Sequence, residues 1–238
     1  MTLDLLAIAP HPDDAELTCG GTLLKMAAAG YRTGILDLTQ GETGTRGTPE
    51  IRAREAARAA NILRVQVRRN ARLPDARLRA SEEQKAVVAE IIRELQPYTV
   101  ILPYWEGRHP DHYTAATLGY EACFIAGLRN YPIAGEPFRP FKILYAAAYS
   151  MVRPTFAVDI TKYYERRRRA ILAYASQFTP QKRARNSKVF LPLDGLESKM
   201  NLFARYYGRM IGVQYAEGFV VKEVIQIDDV VKMPVRSL

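Results

Sequence analysis

Short continuous apolar runs alternate with stretches of helical spacing through the first half of this chain. No other feature constrains the fold as strongly. Leu3–Ala9 is an apolar run closed by Pro10 and reads as a buried strand. His11–Glu16 follows as a polar turn, and Gly20 and Gly21 open a helix that runs to about Gly30. Thr33–Thr39 reads as a second buried strand, Glu50–Leu63 as a helix and Gln66–Arg69 as a third strand. Ser81, with Glu82 and Glu83 behind it, caps a helix that reaches Leu95 and stops at Gln96-Pro97. Thr99–Leu102 is a further buried strand, and Thr114–Gly127 the next helix. Strands apolar on both sides, each followed by a helix, predict an α/β fold in three layers, a mostly parallel sheet covered on both faces.

The pattern loosens after residue 130, where Pro132, Pro137 and Pro140 mark a long loop. Lys142–Tyr149, Thr155–Val158 and Gly218–Ile227 read as later strands, Tyr163–Phe178 and Glu197–Ile211 as helices. Without an internal repeat or a clean linker, residues 1–238 are expected to form a single domain. The 48% hydrophobic content excludes a disordered chain. No run of eighteen apolar residues occurs, so no membrane span is expected, and the N-terminus lacks the basic start of a signal peptide. Cys19 and Cys123 lie far apart and form no metal or redox pair, which suits a reducing, cytoplasmic setting. The net charge of +9 fits nucleic acid, a membrane face or an acidic small substrate equally well.

The chain holds three histidines, and each sits beside aspartates just past a predicted strand. His11-Pro12-Asp13-Asp14 follows the first strand, and Arg108-His109-Pro110-Asp111-His112 follows Thr99–Leu102. Open α/β sheets bind ligands beyond the carboxyl ends of their strands, so these loops face each other if the two strands are neighbours. A His-x-x-Asp loop plus one distant histidine supplies the three N/O ligands of a catalytic zinc site that keeps a position open for water. Of two adjacent aspartates, one can ligate and the other serve as base, and the spare histidine can act as electrophile. Taken singly, either cluster is equally well a satisfied polar turn; both together, absorbing every histidine, argue for a site.

The two histidine clusters resemble the signature motifs of the PIG-L / LmbE-like metal-dependent N-deacetylases. Cys19-Gly20-Gly21-Thr22-Leu23, Leu36–Glu42, Arg52-Ala53-Arg54-Glu55-Ala56 and Gln214–Phe219 are similar to its bacillithiol-biosynthesis branch, which deacetylates N-acetylglucosaminyl malate. The resemblance implies a Rossmann-like sandwich, with His11, Asp14 and His112 binding zinc, or iron(II) in the cell. It implies Asp13 as general base and His109 as the charged group that stabilises the oxyanion or protonates the leaving amine. Asp111 would hydrogen-bond a histidine and tune it, and Arg52 would contact substrate. It further implies a small acetylated amino-sugar substrate and a homo-oligomer. For the carboxylates of malate, Arg108 and Arg46 are additional candidate cations. Two departures stand out: Leu196 occupies the place of a tyrosine found in some relatives, and Asn70–Leu78 has alanines and arginines where relatives carry glycines.

Two histidines and a carboxylate also form the facial triad of iron oxygenases, though the second aspartate favours hydrolysis. A deacetylase of another amino sugar is the nearest alternative. Arg166–Arg169 falls inside a helix pattern, so it cannot present one face; a solvated surface is expected rather than nucleic-acid binding. Lys182–Arg185 lies in a predicted loop and allows the same two readings. Cys19, near the first cluster, is expected to be a small core residue rather than a ligand.

Overall fold

The computed structural model describes residues 2–148, 152–179 and 193–235. Lys182–Arg185 lies outside the described residues, as does the side chain of Leu196. Seven strands form one sheet: β1 (Leu5–Ala9), β2 (Thr33–Thr39), β3 (Val67–Leu73), β4 (Thr99–Pro103), β5 (Lys142–Ala146), β6 (Phe156–Asp159) and β7 (Ala216–Val220). Their spatial order is β3-β2-β1-β4-β5-β7-β6. The pairings from β3 through β5 are parallel, and β7 runs antiparallel to both β5 and β6. Helices α1 (Asp14–Ala28), α2 (Pro49–Leu63), α3 (Glu82–Leu95) and α4 (Pro110–Ala126) connect the parallel strands. Helices α5 (Tyr164–Leu172), α6 (Ala175–Phe178) and α7 (Leu193–Met210) follow in the second half. One apolar cluster joins one sheet face to α3 and α4, a second joins the other face to α1, α2 and α5, and these give the three layers. Among the described residues, no helix is long and apolar enough to cross a membrane.

Every residue of β1 is buried, as its unbroken apolar run requires. Leu6 is fully enclosed, so truncating it to alanine costs about 2–5 kcal/mol. β1 is the switch point: β2 lies on one side (Leu5 opposite Thr33) and β4 on the other (Leu5 opposite Thr99). The chain moves outward in opposite directions from these two strands, which opens a crevice at their carboxyl ends.

Several boundaries differ from the sequence expectation. α1 begins at Asp14 and α4 at Pro110, so residues read as polar loop form first helical turns. Both starts are logical: Pro110 sits at the head of α4, where a missing N–H costs nothing, and acidic residues occupy each first turn. α1 is kinked at Cys19 (φ −143°, ψ 15°), which leaves the following amides without helical partners. The Glu217 carboxylate takes them, accepting from Gly21 N at 2.9 Å, Thr22 N at 2.7 Å and Thr22 Oγ1 at 2.6 Å. A Cβ at Gly21 would lie 2.9 Å from Glu217 Oε1 and 2.8 Å from Ile160 Cδ1, so glycine is required for that approach.

The helix expected over Tyr163–Phe178 is broken between α5 and α6. Tyr174 leaves helical geometry (φ −84°, ψ 64°), and its ring turns inward to donate a hydrogen bond to Glu16 at 3.1 Å. The last strand is five residues, shorter than expected, and begins at Ala216. The arginine run is not uniformly solvated. Arg167 is buried because α5 packs against α1 and α2, and it meets Glu217 at 3.0 Å and the Glu16 carbonyl at 3.1 Å.

Candidate active site

The neighbouring of β1 and β4 brings all three histidines together. Ring centroids of His11 and His109 are 5.0 Å apart, of His11 and His112 5.6 Å, and of His109 and His112 4.9 Å. His11 follows β1, while His109 caps α4 and His112 lies in its first turn. The Asp14 carboxylate lies between the two loops. Its Oδ2 accepts from the His11 amide at 3.2 Å, stands 3.0 Å from His11 Nδ1, and is 3.3 Å from His112 Nε2.

The other nitrogen of His11 faces two further carboxylates, Asp111 Oδ2 at 3.2 Å and Asp75 Oδ1 at 3.1 Å. Burial opposes a charge on this ring, yet Asp111, Asp14 and Asp75 together raise its pKa to about 12. Burial likewise opposes charge on Asp14, but His112 and His11 hold its carboxyl well below the usual range. The cluster is therefore built to hold positive charge among carboxylates, whether a proton or a cation.

Asp13 occupies the N-cap of α1 with a left-handed backbone (φ 115°), a conformation disfavoured for a residue with a Cβ. Its side chain makes no capping bond. Its Oδ2 instead lies 3.4 Å from Arg52 Nη2. Burial pushes the Asp13 carboxyl up to about 8, with Arg52 pulling the other way and Asp14 adding to the rise. His109 Nδ1 accepts the Asp111 amide at 3.2 Å, so in the neutral ring the proton resides on Nε2. Burial, with His112 and His11 alongside, lowers the His109 pKa.

The candidate substrate cations are placed differently. Arg52 is buried, donating to the Pro12 carbonyl at 2.5 Å and to the Gly41 carbonyl at 3.3 Å. Gly41 has φ +67°, and a Cβ there would overlap the Arg52 guanidinium. Arg108 is exposed in the loop after β4. Arg46 donates to the Gln177 carbonyl at 2.9 Å. Cys19 is buried within α1, where Sγ donates to the Ala15 carbonyl at 3.5 Å, and stands among apolar neighbours. Sequence reasoning missed Asp75, whose only signal was its place in a Leu-Pro-Asp turn.

The donor atoms suit a divalent ion. Suitable atoms of His11, Asp14 and His112 lie within 4.8 Å of one another, as do those of His11, His109 and Asp111. Both sets use His11. In the first set His11 would ligate through Nδ1, the nitrogen facing Asp14, while Nε2 would keep its proton for carboxylate partners. Two imidazoles and one carboxylate match Zn²⁺ or Fe²⁺ and leave positions open.

A switch-point crevice with such a donor set, a spare carboxylate and a spare imidazole defines a class: α/β proteins with metal-assisted chemistry at the strand ends. Comparison with known proteins narrows it. The PIG-L model, described as GlcNAc-PI de-N-acetylase, matches residues 6–123. Diacetylchitobiose deacetylase of Thermococcus kodakarensis is 33% identical over 230 residues, covering 90% of this chain and 81% of that protein. The crystal structure of the conserved protein TT1542 from Thermus thermophilus superposes with a TM-score of 0.86 at 42% identity, covering 95% of this chain and 98% of that one. A probable N-acetyl-α-D-glucosaminyl L-malate deacetylase 2 of Bacillus anthracis is 27% identical over 194 residues, covering 73% of this chain and 81% of that protein. The chain belongs to the PIG-L (LmbE-like) deacetylase family, and the Thermococcus kodakarensis and Bacillus anthracis relatives are deacetylases, which hydrolyse an amide.

Proposed function

We propose that the protein is a metal-dependent deacetylase that hydrolyses the acetamide of an N-acetylglucosamine unit in a small glycoside. The carrying observation is the convergence of His11, Asp14 and His112 with an Asp13 carboxylate not spent on capping. His11, Asp14 and His112 would hold Zn²⁺, with Fe²⁺ as the alternative in the cell. Such an ion, when bound, supplies Lewis acidity and makes water a stronger acid.

The remaining work falls to side chains. Asp13, ionised, takes a proton from the attacking water as the water oxygen bonds to the acetyl carbon. The carbon–nitrogen bond then breaks, the proton passes from Asp13 to the departing nitrogen, and acetate and a free amine result. His109 donates from Nε2 to the oxygen that becomes negative. Its lowered pKa suits a neutral donor better than a charged one. Asp111 orients His11. Arg52 pins the Pro12–Asp13 turn and biases Asp13 towards its ionised form.

The aglycone has two candidates. The malate glycoside is favoured by the bacillithiol-like motifs and by the Bacillus anthracis relative. A neutral N-acetylated disaccharide is favoured by the Thermococcus kodakarensis relative and by a buried Arg52 whose two terminal nitrogens already serve Pro12, Gly41 and Asp13. We place the activity in the cytoplasm, where the two unpaired thiols of Cys19 and Cys123 are at home.

The test is amine release from N,N′-diacetylchitobiose and from N-acetylglucosaminyl malate, before chelation, after it, and after Zn²⁺ or Fe²⁺ is restored. Loss on chelation and recovery with metal support the reading. Turnover indifferent to chelation contradicts it. The ratio of kcat/KM for the two glycosides selects the aglycone.

A further inference from the structure

Asp75 is a buried carboxylate on the turn after β3, remote in sequence from both histidine motifs. It touches two remote segments at once. Oδ1 lies 3.1 Å from His11 Nε2. Oδ2 accepts from the Thr43 amide at 2.9 Å and from Thr43 Oγ1 at 2.7 Å. Its own amide donates to Glu42 Oε1 at 2.7 Å. The next amide, Ala76 N, is shared between Asp75 Oδ1 and Asp111 Oδ2, both at 2.9 Å. The backbone bends sharply to achieve this, with Arg72 at φ 54° and Ala76 at φ 59°. Left-handed residues other than glycine are disfavoured and persist where the surroundings hold them.

We propose that Asp75 is a positioning residue that fixes the ring of His11 with Nδ1 turned to the metal site and ties the Glu42–Thr43 loop to that ligand. The inference rests on the metal site of the proposed function and adds a residue to it. Asp111 cannot substitute fully. Each carboxylate divides one oxygen between His11 Nε2 and Ala76 N, but Asp75 alone brings the β2–α2 loop along. A carboxylate behind a ligating imidazole holds its tautomer and orientation, and its loss lowers metal affinity about 10–100-fold.

The experiment measures Zn²⁺ affinity by competition with a chromophoric chelator, and ligand geometry from the visible spectrum of the Co²⁺-loaded protein. The proteins are wild type, Asp75→Ala, Asp75→Asn and Thr43→Val. Asp75→Ala should bind Zn²⁺ about 10–100-fold more weakly with an altered Co²⁺ spectrum. Asp75→Asn, whose amide oxygen still accepts from Nε2, should fall between Asp75→Ala and wild type. Thr43→Val, which cuts only the hydroxyl tie, should stay near wild type. A merely structural carboxylate would lower Tm and leave Zn²⁺ affinity and the Co²⁺ spectrum alone; that result overturns the proposal. Should Asp75→Ala fail to fold, Asp75→Asn decides: identity with wild type in both readouts overturns it. Wild-type protein that binds no Zn²⁺ overturns the proposed function together with this inference, whereas equal binding by wild type and Asp75→Ala overturns the inference alone.

Discussion

The two halves of the molecule differ in where they place most of their buried charge, although the first also holds a matched interior cluster, Arg68 with Asp37 and Glu16. In the first, from β1 to α4, ionic side chains gather at the strand ends around an accessible crevice: His11, Asp13, Asp14, Asp75, His109, Asp111 and His112. In the second, from β5 onward, they point inward and brace the first half from behind. Glu217 caps the kink of α1, Arg167 bonds the Glu16 and Leu17 carbonyls, and Ser176 donates to Glu55 at 2.7 Å. At the crevice burial, with Asp14 alongside, raises the Asp13 carboxyl, while the brace pairs opposite charges in a dry interior. Chemistry is carried where the fold tolerates strain, and stability where ions are matched.

That division can be broken by mutation, beginning with the largest effect. Asp13→Ala should cut kcat about 10²–10⁴-fold, as loss of a general base does, while metal content persists. Wild-type turnover by that variant would remove Asp13 from the reaction. Glu217→Ala should cost about 3–5 kcal/mol of stability, because Arg167 is left buried without its partner. Its Zn²⁺ affinity should stay near wild type, and an affinity falling in step with denaturant stability would erase the distinction between the halves. His109→Ala should lower kcat about 10²–10³-fold, equivalent to about 2.7–4 kcal/mol.

A smaller effect follows from the raised carboxyl of Asp13. The folded, metal-free protein keeps a proton there up to about pH 8, whereas the unfolded chain releases it near the ordinary carboxylate value. The group therefore costs stability increasingly as pH rises from about 4 to about 8. Asp13→Asn should raise the Tm of metal-free protein at pH 8 and leave it unchanged at pH 4, measured by calorimetry; equal shifts at both pH values contradict this. The smallest expectation is an absence of reaction. Burial pushes the Cys123 thiol up to about 12 and raises that of Cys19, so iodoacetamide at pH 8 should leave both unmodified in the folded protein by mass spectrometry.

The sequence revealed the first half more readily than the second, for physical reasons. β1, β2 and β4 are buried almost throughout, so short apolar runs dominate them and are visible, broken in β2 by the buried Asp37. The parallel connections follow the handedness of βαβ units, which leaves few alternatives for where the histidine loops go. The helix starts at Asp14 and Pro110 were hidden because the residues of their first turns are polar and read as loop. In the second half, β7 is placed between β5 and β6 by pairing with remote partners, which periodicity does not encode. Arg167 looked like one of four solvated arginines, since its partner Glu217 lies fifty residues away in the sequence. Asp75 carried only a turn signal, and its meaning comes from the approach of the turn after β3 to His11.

Metal stoichiometry in three proteins, measured on dialysed samples by elemental analysis, tests the convergence of the two loops most directly. Wild type and Asp13→Ala should each retain about one divalent ion per chain, and His112→Ala should retain essentially none, because it removes the donor supplied from α4. A His112→Ala protein as fully loaded as wild type, or a wild type that takes up no ion when supplied with one, would contradict the account.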